Sequence, residues 1–373
     1  MNNKILPQNL QSILDSCLKD IEAKSKTINN LTVSDRALEY YLVYKKNHVD
    51  AILLDTQFNG LSSSYYNAGI FFEQLSYYYF DILPTLLTTI HCYELIKSYA
   101  DEVKKNLFLK KILNSTKPIA FCLTEDAAGS DISCIQTTAI RKNNSFIING
   151  KKVIVINSGI ASFYLVLAQS SKKGRAGLSA FLIPESTSGI QTKPLNISGF
   201  KNCVIGTVEF NNVAIDQEYQ IGEEGSGYFL ITEMLDKGRP FVASCCVGGA
   251  LRALDIIIEH TKSRKQFTKT LYDFQGINFP IAEFKTRLHA ARLLYLDACN
   301  KIDNNEPFSI EASMAKYYAS RLFLDITVYG LDILGYKSIM ESSEMKKLND
   351  LAQAMMFIDG TENVQKMIIA SLL

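Results

Sequence analysis

The chain has 373 residues, 47% of them hydrophobic, enough for two or three domains with sizeable cores. Its 39 basic and 38 acidic side chains nearly cancel, which excludes a general attraction to nucleic acid or to anionic membranes. No continuous apolar run reaches bilayer length, and residues 1–15 lack the compact apolar core of a signal peptide. A soluble, cytoplasmic protein without membrane insertion is the expectation.

Residues 1–116 read as helical. Phe71, Phe72, Leu75 and Tyr79 share one helix face, and Leu107, Leu109, Ile112 and Leu113 fit a similar stripe. Phe58-Asn59-Gly60 breaks the pattern as a turn. From 117 to 223 the period becomes two. Asn149-Gly150 between Phe146-Ile147-Ile148 and Val153-Ile154-Val155-Ile156 predicts a tight hairpin, because both turn positions require positive φ. Tyr164–Leu167, Ala180–Ile183 and Thr207–Phe210 predict further strands, a spacing that suits a small barrel or sandwich. From 224 to 373 the helical period returns. Ile281, Phe284, Leu288, Ala291 and Tyr295 recur at helical steps, as do Met314, Tyr317, Tyr318, Arg321 and Leu322, which predicts a bundle. The order helices, strands, helices places the chain in the α+β class. It argues against a doubly wound nucleotide fold, and no GxGxxG opens a helix.

The eight cysteines form no CxxC pair and read as reduced, mostly buried small hydrophobes. The four histidines are scattered and no HExxH occurs, so no metal site is expected. Phe121 to Asp131 carries an apolar strand into a small-residue loop whose N–H groups could bind an anion or a flat polar ring. Taken alone, it reads first as an ordinary strand and turn.

The loop does not stand alone. Thr124 to Asp131 resembles the TEP-x-AGSD signature of the acyl-CoA dehydrogenase family, with Asp126 where proline is usual. Asn149-Gly150-Lys151-Lys152 is similar to that family's NG-x-K strand, and Asp236-Lys237-Gly238-Arg239 to its D-x-x-R helix. Arg264 to Phe267 and Phe274-Gln275 resemble the R-x-x-F and F-Q elements, and Asp359-Gly360-Thr361-Glu362-Asn363 the EGTS-type loop. The order holds over 118–373. Upstream the resemblance is one of texture, with a GG-x-G-like turn at Asn59 to Ser62.

The resemblance implies a helical N-terminal domain, a central β-barrel and a C-terminal four-helix bundle. It implies FAD, held by Phe121, Leu123, Thr124, Gly129, Ser130, Ile154, Ile156, Gly335, Thr361 and Asn363. Arg264, Phe267 and Gln275 would reach the FAD of a neighbouring subunit in a homodimer or homotetramer. The implied reaction is α,β-dehydrogenation of an acyl thioester, carried by CoA or by an acyl carrier protein. Electrons would pass to an electron-transferring flavoprotein. Asp359 falls where the family has its glutamate base, since the other family position for a base is Gly238 here. Asp359 also has a plain reading, a solvated Asp-Gly turn. Ser130, Asp236, Arg239 and Gly360 are the implied substrate contacts, although Asp236 and Arg239 also fit an ordinary i, i+3 ion pair.

Three positions depart from the family. Its W-I-T strand reads Ile154-Val155-Ile156, so the Trp wall is gone and Ile156 offers no hydroxyl to the flavin. Its Q-x-x-GG-x-G loop reads Asp332 to Ser338 and keeps only Gly335. Its base is Asp rather than Glu. These changes leave two alternatives open, an oxygen-using flavin oxidase on the same fold and a catalytically silent thioester-binding relative.

Overall fold

The computed structural model describes residues 6–171 and 174–373, so the first five residues of the N-terminal segment lie outside it. Five helices come first: α1 (Gln8–Ser25), α2 (Val33–Lys46), α3 (Tyr65–Tyr79), α4 (Leu83–Tyr99) and α5 (Glu102–Leu113). Strands follow: β1 (Ile119–Cys122), β2 (Thr138–Lys142), β3 (Ser145–Ile156), β4 (Phe163–Gln169), β5 (Leu178–Pro184), β6 (Ile190–Pro194), β7 (Ile205–Asp216) and β8 (Gln220–Ile221). Next come α6 (Gly227–Ser263) and a small hairpin of β9 (Lys265–Gln266) and β10 (Lys269–Thr270). The chain ends with α7 (Gln275–Asp303), α8 (Ser309–Leu334), α9 (Glu344–Met355) and α10 (Glu362–Leu372).

Two compact units form. One contains Asp15–Ser63 and Ile82–Leu235; the other contains the chain to Leu14, Ser64–Asp81 and Asp236–Leu373.

The first unit is built on an eight-stranded sheet of order β6-β7-β3-β2-β4-β5-β8, with β1 parallel to β4 off that path. Strand β4 explains the continuous apolar run at 163–168. Its side chains alternate between two cores, Phe163, Leu165 and Leu167 on one face and Tyr164, Val166 and Ala168 on the other. The first face is covered by Tyr93 and Ile96 of α4 and Phe108, Leu109 and Ile112 of α5. The expected barrel is not closed. β8 has two residues, β6 is exposed after Ile190, and β2 meets β4 only at Thr138 and Gln169.

The Asn149-Gly150 expectation is corrected. These residues lie inside the twelve-residue β3, at a register shift against β7. Glycine is required at 150 because a Cβ there would lie 2.4 Å from Thr137 Oγ1. The hairpin turn is Asn143-Asn144, where Asn143 takes the left-handed conformation at φ 55. The turn at Phe58-Asn59-Gly60 forms as expected, with Asn59 at φ 56.

In the second unit Asp303 caps α3, accepting from the N–H groups of Tyr65 (2.7 Å) and Tyr66 (2.9 Å). Glu73 is buried in α3, 3.1 Å from Arg292 and hydrogen-bonded by Tyr295. From 227 onward three long and two short helices replace the expected four, because Gly335 at φ 58 and the Asp359-Gly360 turn cut the last helical pattern. Helix α6 also corrects the membrane reading. It contains an 18-residue window of mean hydropathy 1.8, long and apolar enough to span a bilayer, but 72% of that window is buried inside the protein. All eight cysteines are free thiols, and only Cys134 is exposed.

Candidate active site

In the second unit the site begins at the turn between α9 and α10. Asp359 (φ 52) and Gly360 (φ 97) are consecutive left-handed residues and reverse the chain. A Cβ at Gly360 would meet Gln365 Nε2 at 2.8 Å, so this position needs glycine. Thr361 then caps α10, its hydroxyl accepting from Val364 N–H at 3.4 Å. Asn363 is exposed in the first turn.

The Asp359 side chain is half-buried, and its Oδ2 is shut off from water without a hydrogen-bond partner among the described residues. Buried carboxylate oxygens are normally satisfied, so this orphan is an acceptor held open. Three carbonyls around it accept from three long side chains. Arg239 Nε donates to Asp359 O at 3.4 Å, and Gln365 Nε2 to Asp359 O at 2.9 Å and Gly360 O at 3.2 Å. Lys316 Nζ donates to Met356 O at 3.1 Å and Gly360 O at 2.7 Å. Burial pushes the Lys316 ammonium down to about 8, and nearby Arg239 pushes the same way. The Cys246 thiol and the carboxylates of Asp359 and Glu362 act in the opposite sense.

Asp236 and Arg239 are not a solvated surface pair. Arg239 is 4% exposed, paired with Asp236 through Nη1 and 3.5 Å from Ser313 Oγ; Asp236 Oδ2 accepts from Ser309 at 2.8 Å. The guanidinium is therefore committed inward. Pro240 lies in the same helix and supplies no N–H, so the Asp236 carbonyl loses its usual helical donor.

Arg264, Phe267 and Gln275 lie at one end of this unit, on the β9–β10 hairpin and the start of α7, and all three are exposed. The hairpin tip is Phe267-Thr268, both at positive φ (50 and 68), and Phe267 is 87% exposed. Gly335 ends α8 with open space around it, followed by Tyr336, 72% exposed.

In the sheet unit the loop after β1 is pinned by a residue pair that the motif reading left without a role. Lys152 Nζ donates to Leu123 O (3.0 Å) and to Glu125 Oε1 (2.8 Å). Glu125 also accepts from Gln136 N–H (2.7 Å), Thr137 N–H (3.0 Å) and Thr137 Oγ1 (2.5 Å). Burial alone would push the Glu125 carboxyl up. The Lys152 charge and these hydrogen bonds outweigh it and hold the carboxyl below its usual range. Val153 N–H donates to Thr124 O at 2.8 Å, which ties the loop to the β3 bulge. Leu123, Thr124, Gly129, Ser130, Ile154 and Ile156 are thereby held on one stretch of the sheet unit. Phe121 is half-buried in β1.

Gly129 and Ser130 are exposed, and no described group accepts from their N–H groups. Ile154 is a β-branched residue at φ 54 and 55% exposed, a combination that costs backbone strain and leaves an apolar face open. Free N–H and hydroxyl donors beside an exposed apolar side chain suit a flat ring joined to phosphates. The residues present fit a flavin nucleotide, with Ile156 half-buried and unable to donate to it. Lys152, Lys316 and Gln365 were missed as site residues. The small residues Ala312, Ala315 and Ala319 around Lys316 become a signal only once they are known to be buried.

Comparison with known proteins agrees with this geometry. Residues 120–213 match the model for the acyl-CoA dehydrogenase middle domain and residues 225–373 that for the acyl-CoA dehydrogenase C-terminal domain. The chain is 34% identical to the short-chain specific acyl-CoA dehydrogenase of Megasphaera elsdenii, over 79% of this chain and 78% of that one. It is 32% identical to the caffeyl-CoA reductase-Etf complex subunit CarC of Acetobacterium woodii, over 75% of this chain and 74% of that one. The structure of butyryl-CoA dehydrogenase from Megasphaera elsdenii superposes with a TM-score of 0.92 at 28% identity, covering 99% of both chains.

Proposed function

Because the chain belongs to the acyl-CoA dehydrogenase family, and is an FAD-dependent oxidoreductase of that type, we propose that Asp359 is the base that takes the α-proton of an acyl thioester. The observation that carries this reading is the buried, unpartnered Oδ2 of Asp359 on a turn whose carbonyls at Met356, Asp359 and Gly360 are all held by side-chain donors. A carboxylate held in place and short of hydrogen bonds is a competent proton acceptor. A bound FAD would supply the acceptor for the β-hydride.

Leu123, Thr124, Gly129, Ser130, Ile154 and Ile156 would hold the flavin, with Phe121 backing the loop from β1. In the second unit, taken by itself, the family resemblance assigns Gly335, Thr361 and Asn363 to FAD and the Gly360 N–H to the substrate. In the sheet unit it assigns Ser130 to the substrate as well as to FAD. Arg239 and Asp236 would support the substrate through the turn and not by direct contact, since both already bind inside the protein.

The second subunit is also part of this reading. Arg264, Phe267 and Gln275 would complete the FAD site of a neighbouring copy in a dimer or tetramer. Phe267, Tyr336, Ile339 and Phe357 are between 70% and 87% exposed, large apolar side chains that a second copy would cover. An electron-transferring flavoprotein would accept the electrons, as the relative from Acetobacterium woodii is named as a subunit of an Etf complex.

The test is anaerobic titration of the yellow holoenzyme with acyl-CoA and acyl carrier protein thioesters. Bleaching by one of them supports the reading and identifies the carrier. Bleaching followed by peroxide release in air would favour the oxidase. Bound flavin that no thioester bleaches would overturn the assignment.

A further inference from the structure

Asp359 and Gly360 suit the left-handed conformation that both adopt, at φ 52 and φ 97. That local preference forms the turn but does not fix where the Asp359 carboxylate points. Two side chains do so from opposite helices, and neither has been given a role so far. Lys316 of α8 and Gln365 of α10 are both 0% exposed. Lys316 Nζ bridges two carbonyls four residues apart, Met356 O and Gly360 O, one on each side of Asp359. Gln365 Nε2 bridges two adjacent carbonyls, Asp359 O and Gly360 O, the second of them shared with Lys316.

We propose that Lys316 and Gln365 are positioning residues that clamp the Asp359 turn by its carbonyls and so fix the carboxylate for proton abstraction. The inference rests on Asp359 being the base.

The physical case begins with cost. Burying an ammonium is expensive, and an apolar side chain of similar volume would pack α8 more cheaply. Ala312, Ala315 and Ala319 on α8 are small and fully buried. The lysine is retained where it costs stability, and its donors go to the turn. One Nζ can serve Met356 O and Gly360 O together only when the turn is folded as observed. Gln365 acts in the same way, and its Oε1 is left without a partner, so its place is set by its donor end. With these donors removed, three carbonyls lose partners and Asp359 gains freedom. A displacement of about 1 Å at a reacting group can cost about 100-fold in rate.

Charge adds to position. The groups acting on Lys316 are Cys246 and Arg239 of α6, Asp359 itself and Glu362 of α10. Above about pH 8 the ammonium gives up its proton, and its charge-assisted bonds to Met356 O and Gly360 O become weaker neutral ones, which loosens the turn. The rate of flavin reduction in the wild type therefore falls as pH rises through that range.

The experiment uses FAD-loaded Lys316→Met, Lys316→Arg, Gln365→Leu and Asp359→Asn. Anaerobic flavin bleaching is followed with the thioester that reduces the wild type fastest, from a panel of straight-chain acyl-CoAs and acyl carrier protein thioesters. Amide exchange of the 356–361 peptide is measured alongside. Lys316→Met is expected to keep its FAD, to lose about 100-fold in limiting rate with little change in half-saturating substrate, and to lose the alkaline limb. Exchange should quicken in 356–361 and not elsewhere, and Lys316→Arg should recover part of the rate. Gln365→Leu should show the same pattern and decides the matter if Lys316→Met does not fold. Unchanged limiting rate and unchanged 356–361 exchange in Lys316→Met, or in Gln365→Leu if that is the variant that folds, would overturn the clamp while Asp359→Asn remains dead. If Asp359→Asn bleaches like the wild type, or no thioester bleaches the wild type, the base assignment falls and takes the clamp with it.

Discussion

Lys152 Nζ lies 2.8 Å from Glu125 Oε1, and both side chains are closed to water. The pair joins β3 to the loop after β1, so the bulge that presents Ile154 and the loop that presents Thr124 move as one body. Lys152→Met would leave the Glu125 carboxylate buried without its partner. Breaking such a pair from one side costs about 3–5 kcal/mol. Thermal unfolding should show that loss, and the purified variant should be partly or wholly colourless. A fully yellow variant with unchanged unfolding would show that the pair does not shape the loop.

The same carboxylate sets an acid limit. The Glu125 carboxyl is held below its usual value near 4.5 in the folded chain. Its contribution to stability is complete above that value and is lost as pH falls through the lower, folded one. Glu125→Gln removes this contribution, so its unfolding temperature should fall less steeply than that of the wild type on acidification below the usual glutamate range. Parallel acid limbs would disprove the point.

Asp359→Asn keeps the size and turn preference of the residue and removes the base. Flavin content should be unchanged, and reduction by acyl thioester should fall by about 10²–10⁴-fold, the usual worth of a positioned general base. Absorbance at the flavin band reads both quantities in one cuvette.

Ile154 carries the strain of a left-handed β-branched residue. Ile154→Gly should relieve about 1–2 kcal/mol in the apoprotein. It also removes an apolar face from the flavin site. Apoprotein unfolding temperature should therefore rise while FAD affinity drops, a split that calorimetry on both forms detects. A fall in both would show that the strain is offset by packing within the sheet unit.

Much of this was legible in the residues. The apolar run in β4, the Phe58-Asn59-Gly60 turn and the order of helices and strands follow from local pattern. Asn149-Gly150 did not read correctly. The glycine there answers to the approach of Thr137, thirteen residues away in sequence, a contact that no dipeptide rule contains. Asp359 was legible only through its surrounding motif. Its orphaned Oδ2 and the inward set of Arg239 depend on α6, α8 and α10 meeting, which is tertiary information. Lys316 shows the limit most clearly. A single lysine in a helix reads as solvated until the small residues around it are seen to face inward.

The left-handed backbone at Asp359 limits what this position can become. Valine, isoleucine and threonine would carry backbone strain there, as Ile154 and Thr268 do elsewhere in this chain, whereas asparagine or glycine would fit it readily. A lineage that stopped using the enzyme would keep the turn for folding and drift first to asparagine. Such a relative would preserve nearly the whole surface and every packing contact described here. Its retirement would be written in the exchange of one oxygen for one nitrogen.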